Sequence, residues 1–318
     1  EVKKAAKGAD ISEFLDFKSS EGIVLPAYQT AEDAFPKTPI TIAKALPFKV
    51  ALAVNSTDTQ YLEGVEAVEL PFAQPLPELS SGMDLHLVAA QSQIEAIKTL
   101  SAHASEGTIT LQSDSFDAQF EVYKPLFNEA INGYRHICVN TTLLKNSEPV
   151  AQVSEALKLA SRFVMALKES GQTADSIFFR YRFGSDFYLN LCGLRALKQG
   201  WYNVLQTNNL PLSEPFIIVE TPDFAGDAGV EHNLIRATTM AFAAISGGAS
   251  LFFVRGLGDL PTQVAGFAQR MNRNTQLLLT KESFTHQVND PGKGAFFIEA
   301  LTREILNKVG SNAVKHFY

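Results

Sequence analysis

The sequence predicts an α/β fold, a (β/α)8 TIM barrel preceded by an extended N-terminal arm, and three observations predict it. From about residue 49 onward, short β-rich runs alternate with longer stretches of helical periodicity. Several runs are nearly continuous in apolar residues, the pattern of parallel strands covered by helices rather than of half-exposed antiparallel ones. There are eight such runs in 318 residues, enough to close a barrel, which takes about 250 residues. An open doubly wound sheet is the alternative, because strand count alone does not prove closure.

Residues 1–48 fall outside the alternation. They carry Pro26, Pro36, Pro39 and Pro47, which predicts a lead-in arm with one short helix near Ile11 to Phe17 rather than a domain. The barrel is then 49–318. Its candidate strands are Lys49–Val54, Ala67–Phe72, Asp84–Ala90, Thr108–Gln112, His136–Asn140, Ser176–Arg182, Phe216–Glu220 and Ala249–Val254. Between them the clearest helix has Ala156, Leu157, Ala160, Phe163, Val164 and Leu167 at intervals of three and four, one apolar stripe. Helix starts are signalled at Asn55 to Asp58, Asp114-Ser115, Ser185-Asp186 and Asp290-Pro291, the last placing Pro where its missing N–H is harmless. Gly247-Gly248 reads as a tight turn between a helix and the eighth strand, not as a phosphate loop.

Composition narrows the function classes. With 46% hydrophobic and 19% charged residues the chain reads as soluble and globular. A net charge of -7 argues against nucleic acid, whose binding rests on clustered Lys and Arg. The longest apolar stretch, Met240 to Val254, is broken by Ser246, Gly247, Gly248 and Ser250 and falls short of the roughly 20 residues that span a bilayer. The start, Glu1 to Lys7, lacks the apolar core of a secretory signal, so a cytoplasmic location is expected; with no initiator Met, a trimmed or processed chain is also expected. Cys138 and Cys192 lie in apolar stretches and read as buried free thiols. The six histidines are dispersed without metal-ligand spacing. Asp84-Leu-His86 has the outline of a cobalamin-ligand signature but carries Ala89 in place of its glycine, and reads as coincidence.

Barrel chemistry belongs at the C-terminal strand ends. Those ends offer Asn55, Gln74, Gln91, Asp114, Thr141, Arg180, Arg182, Glu220, Asp223 and Arg255. Arg180, Arg182 and Arg255 could clamp an anion through forked hydrogen bonds. They could equally pair with Glu220, since Arg180 and Arg182 share one face of their strand. Asn55, Asp114, Arg180, Arg182, Glu220 and Arg255 therefore stand as candidates for a ligand site or a structural network.

Four stretches together resemble the methylmalonyl-CoA mutase family. They are Phe267-Ala-Gln-Arg-Met-Asn-Arg-Asn-Thr-Gln276 with its continuation to Ser283, Asp290-Pro-Gly-Lys-Gly through Thr302, Leu194-Arg-Ala-Leu-Lys-Gln-Gly-Trp201, and Asn233-Leu-Ile-Arg-Ala-Thr-Thr-Met through Leu251. The arm segments Lys7 to Asp10 and Glu21-Gly-Ile23 are also similar. The resemblance implies an acyl-CoA barrel in an adenosylcobalamin-dependent isomerase. It also exposes departures. The family's Tyr-His pair after the fifth strand faces Leu144 and Lys145 here, its His-Asn-Asp after the sixth faces Gly184-Ser-Asp186, and its Ser-Leu-His-Thr-Asn faces Ser250-Leu-Phe-Phe-Val254. Leucine cannot donate a hydrogen bond. No cobalamin-binding domain lies between Thr302 and Tyr318. The resemblance therefore implies the noncatalytic small subunit of a heterodimer, with no catalytic residue, no cofactor or metal bound by this chain, and adenosylcobalamin in a large catalytic partner subunit. A competent barrel borrowing cobalamin from another chain, or a divergent barrel enzyme taking a small anion on the mouth arginines, are the alternative readings.

Overall fold

The computed structural model describes residues 15–26, 29, 47–54, 62–72, 82–98, 107–131, 133–146, 148–224, 229–255 and 262–315. The arm contains a small antiparallel pair, β1 (Phe17–Lys18) with β2 (Val24–Leu25). Phe17 is thus in a strand where the sequence predicts a helix end; the rest of that helix lies outside the described residues, apart from Leu15 and Asp16. The hairpin closes because Gly22 takes φ 73° and its N–H reaches the Ser19 carbonyl at 3.0 Å.

Parallel strands follow in two sheets. One runs β3 (Ala51–Ala53), β4 (Ala67–Pro71), β5 (Asp84–Ala89), β6 (Gly107–Leu111) and β7 (Tyr134–Arg135). The other joins β8 (Ile137–Asn140), β9 (Ile177–Arg182), β10 (Phe216–Glu220) and β11 (Leu251–Phe253). β7 and β8 are two halves of one extended run interrupted at His136: the first half pairs with β6 and the second with β9. At the opposite margin the Lys49 N–H donates to the Ser250 carbonyl at 3.1 Å, between the first and last parallel strands. The eight expected runs are all represented, with the fifth beginning earlier, at Tyr134.

The described helices are α1 (Ile94–Lys98), α2 (Gln119–Tyr123), α3 (Pro149–Glu169), α4 (Phe187–Thr207), α5 (Val230–Ser246), α6 (Thr262–Leu277) and α7 (Phe296–Lys315). α3 buries Ala156, Ala160, Phe163, Val164 and Leu167 of the stripe its spacing predicts, while Leu157 is half-buried against the core. Its first turn has Pro149 in place and is capped from a distance: the Glu21 carboxylate accepts from the Val150 and Ala151 N–H groups at 2.8 and 2.9 Å. α4 is capped by Asp186, whose Oδ1 accepts from the Leu189 N–H at 2.8 Å. Gly247 and Gly248 make the turn from α5 into β11, Gly248 at φ 77°.

Ser115 accepts from Ala118 just ahead of α2, while Asn55 to Asp58 lie outside the described residues. Asp290 is not a helix cap. It sits at φ 48°, α7 begins only at Phe296, and its carboxylate binds Arg195 instead.

That contact explains why two of the motifs occur together. Arg195 of α4 is wholly buried, with Asp290 held by Nε and Nη2 at 2.9 and 3.0 Å. Its remaining donors reach Thr302 Oγ1 and Glu299 Oε1, both at 2.9 Å. In the other segments, the Gln276 amide brackets β3, accepting from the Ala51 N–H at 3.0 Å and donating to its carbonyl at 2.9 Å. Ser250 Oγ accepts from the Ile217 N–H at 3.1 Å, and Trp201 Nε1 donates to the Ser213 carbonyl at 3.1 Å. Each of these side chains satisfies a buried or half-buried polar group. The motifs hold strands and helices in place.

Candidate functional site

Period-two alternation turns residues 180 and 182 of β9, 220 of β10 and 69 of β4 to one side of their strands. There Arg180 meets two carboxylates. Its Nη1 lies 2.8 Å from Glu69 Oε2, its Nε donates to Glu220 Oε1 at 2.7 Å, and its Nη2 pairs with the same Glu220 oxygen. Arg255, just after β11, closes the figure: its Nη2 is 2.6 Å from Glu69 Oε1 and its Nε 2.9 Å from Glu220 Oε2. The result is a ring of alternating charge, Glu69–Arg180–Glu220–Arg255, that joins strands of both sheets. Thr110 of β6 adds a hydroxyl acceptor to Arg180 Nη1 at 3.0 Å.

Burial makes this ring electrostatically stiff. Glu69, Arg180 and Glu220 are 5, 4 and 6% exposed. Loss of water by itself pushes a carboxyl up, yet Arg180 and Arg255 outweigh it and hold Glu220 down at about 2. Burial likewise works against the charge on Arg180 and Arg255, and Glu220 and Glu69 more than restore it. All the ring groups that show a shift are locked in their charged forms. A carboxylate so held is a poor base and no acid near neutrality. Cys138, beneath the ring, is pushed up to about 12 by burial, so it offers no thiolate.

Of the sequence candidates, the structure brings the side chains of Arg180, Glu220 and Arg255 together, and Thr141 Oγ1 donates to the Arg180 carbonyl at 2.9 Å. Arg182 is half-buried and outside the ring. Asp114 is exposed in the stretch between β6 and α2. Asn55 and Gln74 lie outside the described residues. Sequence reasoning missed Glu69 and Thr110. The signal for Glu69 was present, a lone carboxylate inside the apolar run Ala67-Val-Glu-Leu, and a charge in such a strand needs a buried partner.

The positions facing the family's polar pairs carry none of that chemistry. Leu144 packs half-buried against the core after a short 3-10 turn, Thr141–Leu143, and Lys145 is exposed. Asp186 serves as the α4 cap. Phe252 and Phe253 are each 1% exposed, and Arg255 lies over the Phe253 ring at 5.1 Å. A cavity of about 410 Å³ opens elsewhere, beside Phe48, Ala249 and His286, with no ring residue in its lining. Among the described residues no cluster of His, Cys, Asp and Glu is placed to hold a metal ion, and no helix is long and apolar enough to cross a membrane.

Parallel strands flanked by helices, with charged groups gathered at the strand ends, define an α/β protein. The family model for methylmalonyl-CoA mutase matches residues 83–315, and the chain belongs to that family. It is 31% identical over 175 residues to the methylmalonyl-CoA mutase small subunit of Propionibacterium freudenreichii subsp. shermanii, covering 49% of this chain and 26% of that one. To the small subunit of Streptomyces virginiae it is 28% identical over 202 residues, covering 61% and 33%. A methylmalonyl-CoA mutase of Rhizobium meliloti is 25% identical over 193 residues, covering 58% and 26%. The matched stretch spans a third or less of the length of these relatives. Among solved structures, a Yersinia pestis DHPS is similar at a TM-score of 0.38 and 14% identity, covering 75% of this chain and 99% of that one, too slight a likeness to bear on fold or function.

Proposed function

We propose that this chain is the noncatalytic small subunit of a heterodimeric, adenosylcobalamin-dependent methylmalonyl-CoA mutase of the cytoplasm. In this reading residues 1–48 are an arm, residues 49–318 close into a (β/α)8 barrel, and the barrel packs against a large catalytic subunit that carries out the isomerisation. The observation that carries it is the ring. Glu69, Arg180, Glu220 and Arg255 fill the strand ends with mutually neutralised charge, where a rearrangement would need room for an acyl thioester and free hydrogen-bond donors around its carbonyl. Leu144 and the buried Phe252 and Phe253 supply no such donor.

The described residues of this chain offer no site that fits the cofactor. His86, in the sequence nearest to a cobalt-ligand signature, is wholly buried, with Nδ1 on Thr108 Oγ1 at 3.0 Å and its ring stacked against Phe216. Burial holds that imidazole neutral down to about 3. We therefore assign adenosylcobalamin to the partner and route no step through it here. The test is co-expression with a large mutase subunit followed by mass measurement of the purified complex. A one-to-one complex, together with no acyl-CoA binding by this chain alone, is the expected result. Tight acyl-CoA binding by the isolated chain would overturn the reading.

A further inference from the structure

All four oxygens of the ring carboxylates lie within ion-pair distance of an arginine, Oε1 and Oε2 of Glu69 beside Arg255 and Arg180, Oε1 and Oε2 of Glu220 beside Arg180 and Arg255. Arg182 receives none of them, although it is the register partner of Glu220 on the neighbouring strand. Among the described residues its guanidinium has neither an ion pair nor a hydrogen bond. Its Nε–H is shut away from water without an acceptor, while the side chain as a whole is half-buried. The Nη groups are therefore the edge that solvent reaches.

The backbone of the same residue is pinned at both ends. Gln152 of α3 accepts from the Arg182 N–H at 3.1 Å and donates to its carbonyl at 2.7 Å, and the Gln152 Oε1 also takes the Thr141 hydroxyl at 2.9 Å. A permanently charged fork of donors on a rigid strand end, with no acid of its own, is an incomplete set of hydrogen bonds. We propose that Arg182 anchors a binding site for a small oxyanion, a carboxylate or a phosphate group, which completes that set. The residues that hold it belong to β9 and α3.

The intact chain is titrated by calorimetry with inorganic phosphate and, separately, with succinate. Saturable binding of at least one is expected, with Kd on the order of 1 mM or tighter, and the tighter anion identifies the preferred chemistry. Arg182→Gln weakens it about tenfold or more, and Arg182→Lys, which keeps the charge but loses the fork, falls between. Unfolding midpoints matching the parent's show that the variants fold. If they do not fold, the Arg182 Nε–H resonance of the unaltered chain serves instead, and it shifts as the anion is added. Failure of both anions to saturate the parent, equal affinity in Arg182→Gln, or a stationary Arg182 resonance would each overturn the proposal.

Discussion

Arg180 shows how much depends on one side chain when charge is buried in pairs. Removing it as Arg180→Met leaves two buried carboxylates to share Arg255 alone, which costs about 3–5 kcal/mol; urea unfolding of the variant measures the loss. Glu220 gives the same network a pH signature. Its folded value, about 2, lies below its ordinary 4.5, so its contribution is complete above 4.5 and disappears as pH falls from there toward 2. His86 acts in the same direction from higher up. Buried and neutral down to about 3 against an ordinary 6.5, it penalises the folded state progressively as pH falls below 6.5. Stability should therefore decline in acid in two overlapping stages, and Glu220→Gln should flatten only the lower one. A slope below pH 4.5 that is unchanged in Glu220→Gln would contradict the assignment.

Elements were legible in proportion to how local their causes are. The strand runs and the α3 stripe read directly from apolar spacing, because burial imposes a period of two or of about 3.6 on each element separately. Asp290-Pro291 misled for the opposite reason. Its local chemistry signals a helix start, but Arg195, far away in sequence, claims the carboxylate, and α7 starts later at Phe296. Glu69 was hidden in the same way, its role set by partners on β9 and after β11.

Contacts across elements also give tests. Glu21 caps α3 from the arm, so Glu21→Ala should lose roughly 0.5–2 kcal/mol and speed proteolysis of the arm. At Gly107 an added Cβ would lie 2.3 Å from the Leu85 carbonyl oxygen and 2.5 Å from the Tyr134 ring. Gly107→Ala therefore forces β5, β6 and β7 apart and should destabilise by about 1–3 kcal/mol, read as a lowered unfolding midpoint. A midpoint equal to the parent's would show that the strands yield freely there.

For the whole molecule, the two parallel sheets are stitched at two margins, the β7–β8 run on one side and the Lys49–Ser250 bond on the other. Ser250 works on both sides of its strand, its carbonyl toward Lys49 and its hydroxyl toward Ile217. Ser250→Ala leaves a buried N–H unaccepted, a loss of about 1–3 kcal/mol. Hydrogen exchange should show β10 and β11 losing protection first, and uniform loss over all strands would speak against a local seam. Arg195 ties together more side chains than any of these, binding residues 95, 104 and 107 positions away in the chain. Four side chains, Arg195, Asp290, Glu299 and Thr302, then answer to a single constraint that is indifferent to turnover. In relatives with this architecture they should be inherited or abandoned as a set. A motif score resting on them measures whether a chain can be assembled, and two chains scoring alike can differ entirely in what they do to a substrate.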